Sequence, residues 1–171
     1  TKKNFLYSQI NDKKILVIGG AGTIGSSYIK QILRYKPSKI TVVDINENAL
    51  TELTRDLRSS NLLDYNPEYI TYPVNLLSET FEKIFSSHKW KVVANFSAHK
   101  HVRSEKDKIS IENLIKNNVY GAVKLLNLCE QNTPNYFFSV STDKAVNPVN
   151  IMGASKSLME KLILSKKYKF R

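Results

Sequence analysis

The chain has 171 residues, 42% hydrophobic and 24% charged, with a formal net charge of +11. These are ordinary globular proportions, long enough for one domain with a real core, and disorder is not indicated. No apolar run approaches the roughly 18 residues a membrane helix needs. The opening Thr1-Lys2-Lys3-Asn4-Phe5-Leu6 has neither the apolar core nor the small-residue cleavage site of a signal peptide. Cys129 is the single cysteine, so no internal disulfide forms. It is expected as a buried small hydrophobe in a cytoplasmic, reducing setting. The lysines are scattered, no arginine cluster forms, and aromatics do not alternate with basic residues as a single-strand platform requires. Nucleic acid is therefore not an expected partner. The basic balance reads as a solvated lysine-rich surface, with an anion-attracting field for a nucleotide diphosphate as the alternative.

Along the chain, Lys14-Ile15-Leu16-Val17-Ile18-Gly19 is a short apolar run ending in glycine and predicts a strand buried on both faces. From Thr23, Ile24, Ile29, Ile32 and Leu33 recur at helical spacing until Pro37 stops the pattern. Ile40 to Asp44 predicts a second strand, and Asn46 then caps a helix carrying Leu50, Leu53 and Leu57 on one side. Tyr69 to Val74 is a weaker third strand, with Phe81, Ile84 and Phe85 marking the helix behind it. Lys91 to Phe96 is the fourth strand. One long helix follows, roughly Ile109 to Gln131, with Leu114, Val119, Leu126 and Cys129 among its periodic positions. Tyr136 to Val140 is the fifth strand, and a further helix starts at Asn150. Strands spaced by such helices predict a parallel sheet with right-handed crossovers. The expected fold is thus α/β: a doubly wound parallel sheet of the Rossmann type, with at least five strands, in one domain over residues 1–171. There is no internal repeat or linker. The sequence stops after Lys166-Lys167-Tyr168-Lys169-Phe170-Arg171, where a sixth strand is expected.

Gly19-Gly20-Ala21-Gly22-Thr23-Ile24-Gly25 joins the first strand to the first helix. In the spacing Gly19, Gly22, Gly25, the first glycine turns the chain tightly. The second lets backbone approach a pyrophosphate, and the third allows close packing of the helix. Phosphates would then meet the helix N-terminus, where free N–H groups and the dipole favour negative charge. Gly19, Gly22, Thr23, Ile24 and Gly25 are accordingly candidate cofactor residues. Asp44, at the end of the next strand, supplies the acceptor for ribose hydroxyls and repels a 2′-phosphate. No arginine follows it, so NAD is expected in preference to NADP. No metal site is expected.

Further stretches carry a resemblance: Ser97-Ala98-His99-Lys100-His101-Val102, Asn118-Val119-Tyr120-Gly121, Ser141-Thr142-Asp143-Lys144-Ala145 with Asn147-Pro148, and Met152-Gly153 with Lys156. Together with the glycine loop, they make the chain resemble the extended short-chain dehydrogenase/reductases. Within that group it is similar to the nucleotide-sugar 4,6-dehydratases of bacterial surface-polysaccharide and glycan biosynthesis. The resemblance places Ser97, Ala98 and Lys100 beside the nicotinamide ribose, leaves His99 a polar loop residue, and makes Asn118 an asparagine that interrupts helical hydrogen bonding near the site. Thr142 matches the Ser/Thr position of the family's proton-transfer set. Lys156 matches the lysine, which also bonds the nicotinamide ribose. Met152 stands at the tyrosine position, and a thioether can neither give nor take a proton, so the chain resembles a methionine-for-tyrosine branch.

By the same resemblance, a sugar oxidised at C4 loses its C5 proton to a base while an acid protonates the departing C6 hydroxyl. Asp143 is assigned the acid and Lys144 the base. Those roles need a neutral carboxyl and a partly deprotonated amine, and burial would push each that way. The implied substrate is UDP-N-acetylglucosamine, the implied product a 4-keto-6-deoxy sugar, and the implied assembly a homo-oligomer. Two alternatives stay open: a nucleotide-sugar 4-epimerase, and a non-catalytic dinucleotide-binding scaffold or sensor. Since such enzymes carry a further C-terminal portion that grips the nucleotide-sugar, the expectation is a truncated enzyme whose substrate portion is missing.

Overall fold

The computed structural model describes residues 2–98 and 107–166. Five strands, β1 (Lys14–Ile18), β2 (Lys39–Asp44), β3 (Glu68–Pro73), β4 (Val92–Asn95) and β5 (Tyr136–Ser139), form one sheet in the order β3-β2-β1-β4-β5. Every pairing is parallel. β1 is central, with Leu16 opposite Thr41 on one side and Val93 on the other. The connections leave β1 in opposite directions along the sheet, which opens a crevice at the carboxyl ends of β1 and β4.

Alternation along β1 divides the core between the two faces. Ile15 and Val17 pack with Ile40 and Val42 against Ile29, Ile32 and Leu33 of α2 (Thr23–Leu33) and Leu50, Leu53 and Leu57 of α3 (Glu47–Ser59). Leu16 and Ile18 pack with Val43 and Val93 against the opposite layer. That layer contributes Phe81, Ile84 and Phe85 from α4 (Glu79–Ser86) and Leu125, Leu126 and Cys129 from α6 (Gly121–Gln131). Each such side chain removed from water contributes about 1.5–3 kcal/mol, so the two half-cores fix both helical layers on the sheet. Cys129 is buried, as its apolar surroundings require, and burial pushes its thiol up to about 12.

The helix starts follow local capping chemistry. Asn46 accepts from the Ala49 N–H at 3.0 Å, Ser78 from Phe81 at 3.2 Å, and Asn150 from Gly153 at 2.8 Å. Asn150 thereby opens α7 (Ile151–Ser165). Two features depart from the periodicity. A helix α1 (Lys2–Ile10) precedes β1, although Phe5, Leu6 and Tyr7 are exposed and Ile10 is the residue it buries in the core. The long helix after β4 is also interrupted. It runs as α5 (Lys108–Ile115), then a π-helical turn over Lys116–Tyr120, then α6. Such a turn inserts one extra residue and re-aims the side chains within it. Asn118 lies in that turn, where the family resemblance expects an interruption. Among the described residues no helix is long and apolar enough to cross a membrane.

Candidate functional site

All five strands deliver a segment of chain to the crevice. After β1 comes the glycine turn. Gly19 takes φ +68°, and a Cβ there would lie 2.5 Å from the Ser97 nitrogen, so only glycine lets the β1 turn and the segment after β4 meet. At Gly25 a Cβ would lie 2.5 Å from the Gly19 carbonyl oxygen, so this glycine seats α2 against the turn itself rather than against the sheet. Gly22 is different: a Cβ there would meet nothing closer than 3.6 Å. Its bareness leaves space open to a ligand. Gly22 also occupies the N-cap of α2 without a side-chain cap, so the first-turn N–H groups at Thr23 and Ile24 face that space with no side chain between.

Asp44 closes β2 and fastens the turn. Its Oδ2 accepts from the Ala21 N–H at 3.0 Å and its Oδ1 from the Asn46 N–H at 3.1 Å. A carboxylate oxygen accepts more than one hydrogen bond, so both retain capacity toward a ligand hydroxyl. After β4, the buried Asn95 organises the next segment. Its Oδ1 accepts from the Ser97 N–H at 3.0 Å and the Ser97 hydroxyl at 2.6 Å, while its Nδ2 donates to Ser139 Oγ at 3.1 Å. Periodicity gives Asn95 no role beyond a strand position. A polar residue ending an apolar parallel strand is the signal that marks it.

The crevice consists of two adjoining hollows that share Gly19, Gly22, Phe96 and Ala98. The first, about 200 Å³, extends past Asp44, Ile45 and Ser97 to Val74–Leu77 and Asn117. The second, about 280 Å³, is walled by Thr23, Ile24, Gly25, Val140, Ser141, Thr142, Lys144, Met152 and Lys156. The structure thus gathers the glycine turn, Asp44, Ser97, Ala98, Thr142, Lys144, Met152 and Lys156 around one crevice. Asn118 stands behind it: buried, it donates to Ser155 Oγ at 2.9 Å, and Ser155 donates to the Met152 carbonyl at 2.7 Å. It is a support for α7. Lys100, with His99 and His101, lies outside the described residues.

Lys156 is 3% exposed and Met152 2%. The Lys156 ammonium donates to the Val140 carbonyl at 2.8 Å and contacts the Met159 sulfur at 3.6 Å. Burial pushes its pKa down to about 8, against a smaller upward pull from Glu160. Ser141, which lines the same hollow, carries a buried hydroxyl oxygen with no hydrogen-bond partner among the described residues, a detail that a serine in a polar block does not announce.

The expected burial of the acid–base pair is corrected. The side chains of Asp143 and Lys144 are both exposed, on a short 3₁₀ turn over Asp143–Ala145. The Asp143 carboxylate accepts from the Thr142 hydroxyl at 2.9 Å and the Lys144 N–H at 3.0 Å, and these bonds hold it below the usual carboxylate range instead of above it. The physical reason is position: the turn stands on the rim of the second hollow, where nothing among the described residues covers it. No group of His, Cys, Asp or Glu suited to a metal ion occurs among the described residues.

A parallel β3-β2-β1-β4-β5 sheet with a glycine turn at its switch point and an acidic residue ending the adjacent strand defines a doubly wound nucleotide-binding fold of the Rossmann type. The residues fit an elongated ligand whose negatively charged middle crosses the glycine waist and whose ends enter the two hollows. Comparison with known proteins narrows this. The family described as polysaccharide biosynthesis protein matches residues 15–170, and the chain belongs to it. An uncharacterized membrane protein of Methanocaldococcus jannaschii is 37% identical over 154 residues, covering 90% of this chain and 43% of the relative. An inverting UDP-N-acetylglucosamine 4,6-dehydratase of Campylobacter jejuni is 30% identical over 156 residues, covering 91% of this chain and 44% of that enzyme. In structure, Pen from Bacillus thuringiensis superposes with a TM-score of 0.80 at 26% identity, over 93% of this chain and 47% of Pen. The chain therefore spans less than half the length of these relatives.

Proposed function

We propose that the chain is the NAD-binding half of a nucleotide-sugar 4,6-dehydratase, acting on UDP-N-acetylglucosamine to give a 4-keto-6-deoxy sugar. The observation that carries this reading is the presentation of Thr142, Asp143 and Lys144 at the carboxyl end of β5, on the rim of the hollow that holds Lys156 and Met152. A simple sugar oxidoreductase needs one proton-transfer group at the reacting hydroxyl. A dehydratase also needs an acid for the leaving hydroxyl and a base for the neighbouring C–H, and adjacent Asp143 and Lys144 supply that pair.

Bound across the glycine waist, NAD supplies the hydride exchange. The chain's own residues do the rest. Asp44 receives the adenosine ribose hydroxyls, and the α2 N-terminus at Thr23 and Ile24 receives the pyrophosphate. Lys156, held by the Val140 carbonyl and the Met159 sulfur, directs its remaining N–H group at the nicotinamide ribose. Thr142 bonds the sugar hydroxyl at C4. Met152 fills the tyrosine position with a group inert toward protons, which shifts the proton work to the rim. The Asp143 carboxylate takes the C4 hydroxyl proton through the Thr142 hydroxyl, which donates to it at 2.9 Å, and delivers that proton to the departing C6 hydroxyl. Lys144 takes the C5 proton and gives it back to C5 when hydride returns to C6. A sugar seated over the rim would exclude water from both, which raises the carboxyl toward its neutral form. The C. jejuni relative carries this activity by name, which supports the same reading here.

The test is mass spectrometry of the product with UDP-N-acetylglucosamine and NAD. Dehydration removes one water, whereas 4-epimerisation leaves the mass unchanged. Lys144→Ala and Asp143→Asn should abolish the dehydrated product while NAD affinity stays within about twofold. Full turnover in both variants refutes the assignment.

A further inference from the structure

One wall of the first hollow is the segment that leaves β3, from Val74 to Leu77. The sheet's hold on it ends at Val74, whose N–H donates to the Asp44 carbonyl at 3.0 Å. Beyond that point the segment is stiffened internally. Asn75 Oδ1 accepts from the Leu77 N–H at 2.8 Å, and the Asn75 carbonyl accepts from Ser78 N–H at 3.0 Å and Oγ–H at 2.8 Å. Stiffness alone does not set where a loop sits relative to a ligand.

The anchor comes from α6. Lys124 Nζ donates to the carbonyl oxygens of Leu77 at 2.8 Å and Ser78 at 2.9 Å, and pairs with Glu82 Oε1 at 2.6 Å. An ammonium has three N–H donors, and each has an acceptor here. The Lys124 side chain is 18% exposed, which shields its two carbonyl bonds from most water, whereas the ion pair opens to solvent on the side of Glu82, 49% exposed. One turn earlier, Gly121 admits Leu76: a Cβ at 121 would lie 3.2 Å from Leu76 Cδ2. The first turn of α6 thus grips three consecutive residues of the wall, Leu76 through its side chain and Leu77 and Ser78 through their backbone. The π-helical turn just before it contributes Asn117 to the same hollow and, through Asn118, supports α7.

We propose that Lys124 is a positioning residue that sets the Val74–Leu77 wall for the adenosine end of the dinucleotide. This rests on the dinucleotide reading above, in which Asp44 marks the first hollow as the adenosine end. Lys124 touches no ligand. It acts through the Leu77 and Ser78 carbonyls, and its place on the helix that carries Asn117 and Asn118 ties the geometry of that end to the α7 side of the crevice.

The experiment measures ADP-ribose affinity by calorimetry and amide hydrogen exchange by mass spectrometry on the full chain. Lys124→Met keeps most of the stem and removes the ammonium. It should weaken ADP-ribose about tenfold, as loss of charge-assisted bonds to two carbonyls would, and should speed exchange at residues 75–78 but not at residues 140–144. Lys124→Arg, which keeps the charge and can still reach the carbonyls, should recover affinity to within about threefold of wild type. ADP-ribose affinity within about twofold of wild type in Lys124→Met overturns the proposal. So does a loss accompanied by equal acceleration at residues 140–144, which would make Lys124 a general stabiliser. Failure of the wild type itself to bind ADP-ribose overturns the dinucleotide reading and this inference with it, an outcome distinct from the other two.

Discussion

Lys156→Met tests the electrostatics of the site without any substrate. Lys156 is buried at 3% exposure, and burial lowers its pKa from 10.5 to about 8. A lysine depressed in the fold binds fewer protons there than in the unfolded chain between pH 8 and 10.5, so stability rises with pH across that window. The cost of burying the charge is therefore present in full below about pH 8 and gone above about 10.5. Its size follows from the shift, ~3 kcal/mol near pH 7. Methionine of similar length removes that cost but leaves the Val140 carbonyl without its donor, a loss of ~1–2 kcal/mol. The expected net gain at pH 7 is ~1–2 kcal/mol, which for a chain of this size raises Tm by about 2–8 °C. Urea denaturation of wild type and variant from pH 6.5 to 9.5 gives the difference directly. The variant's advantage should shrink by about 2 kcal/mol between pH 7 and 9.5 as the wild type loses its buried charge. A difference that stays constant with pH, or a variant less stable than wild type at pH 7, refutes the argument that this ammonium is held against its solvation.

Three further outcomes follow from named contacts. Gly19→Ala should destabilise the fold by ~2–4 kcal/mol in urea denaturation, because it combines a positive φ with a backbone overlap. Gly22→Ala, with open space at its Cβ, should cost less than ~1 kcal/mol while weakening ADP-ribose at least tenfold by calorimetry. Cys129, buried and with its thiol pushed up to about 12, should react with a thiol reagent only as fast as the protein opens. A burst of labelling in native buffer would show the α6 packing to be looser than described.

The sheet and its cores were legible because each apolar run obeys one period. Ile15 to Ile18 must be buried on both faces, and Leu50, Leu53 and Leu57 recur on one face of a capped helix. Helix α1 was not legible, since Phe5, Leu6 and Tyr7 face solvent and leave no stripe to read. The π-helical turn was hidden for the opposite reason: Leu114, Leu125 and Leu126 preserve an apolar face on either side of it, and periodicity alone reports one helix. In the crevice, residues whose type stands out at its place were readable: Gly19 in the turn after β1, Asp44 at the end of β2, Thr142 after β5, and Lys156 on α7. Those that work through main-chain atoms were not. The anchoring of Leu77 and Ser78 by Lys124 depends on carbonyls that every residue possesses, so no residue type announces it. The exposure of Asp143 could not be read either, because a polar pair reads the same on a rim as in a pocket.

The two margins of the sheet are unlike. β3 ends in Pro73, which has no N–H to offer, and starts at Glu68, whose carboxylate is tied to Lys39 at 2.7 Å. Both features discourage further pairing there. β5, Tyr136-Phe137-Phe138-Ser139, is the other margin, and no described strand lies beyond it. An aromatic, half-buried strand at a sheet's end is a template for another strand of any origin. A strand added at the β5 margin would lie next to the Thr142–Lys144 segment, so whatever pairs with β5 also borders the crevice.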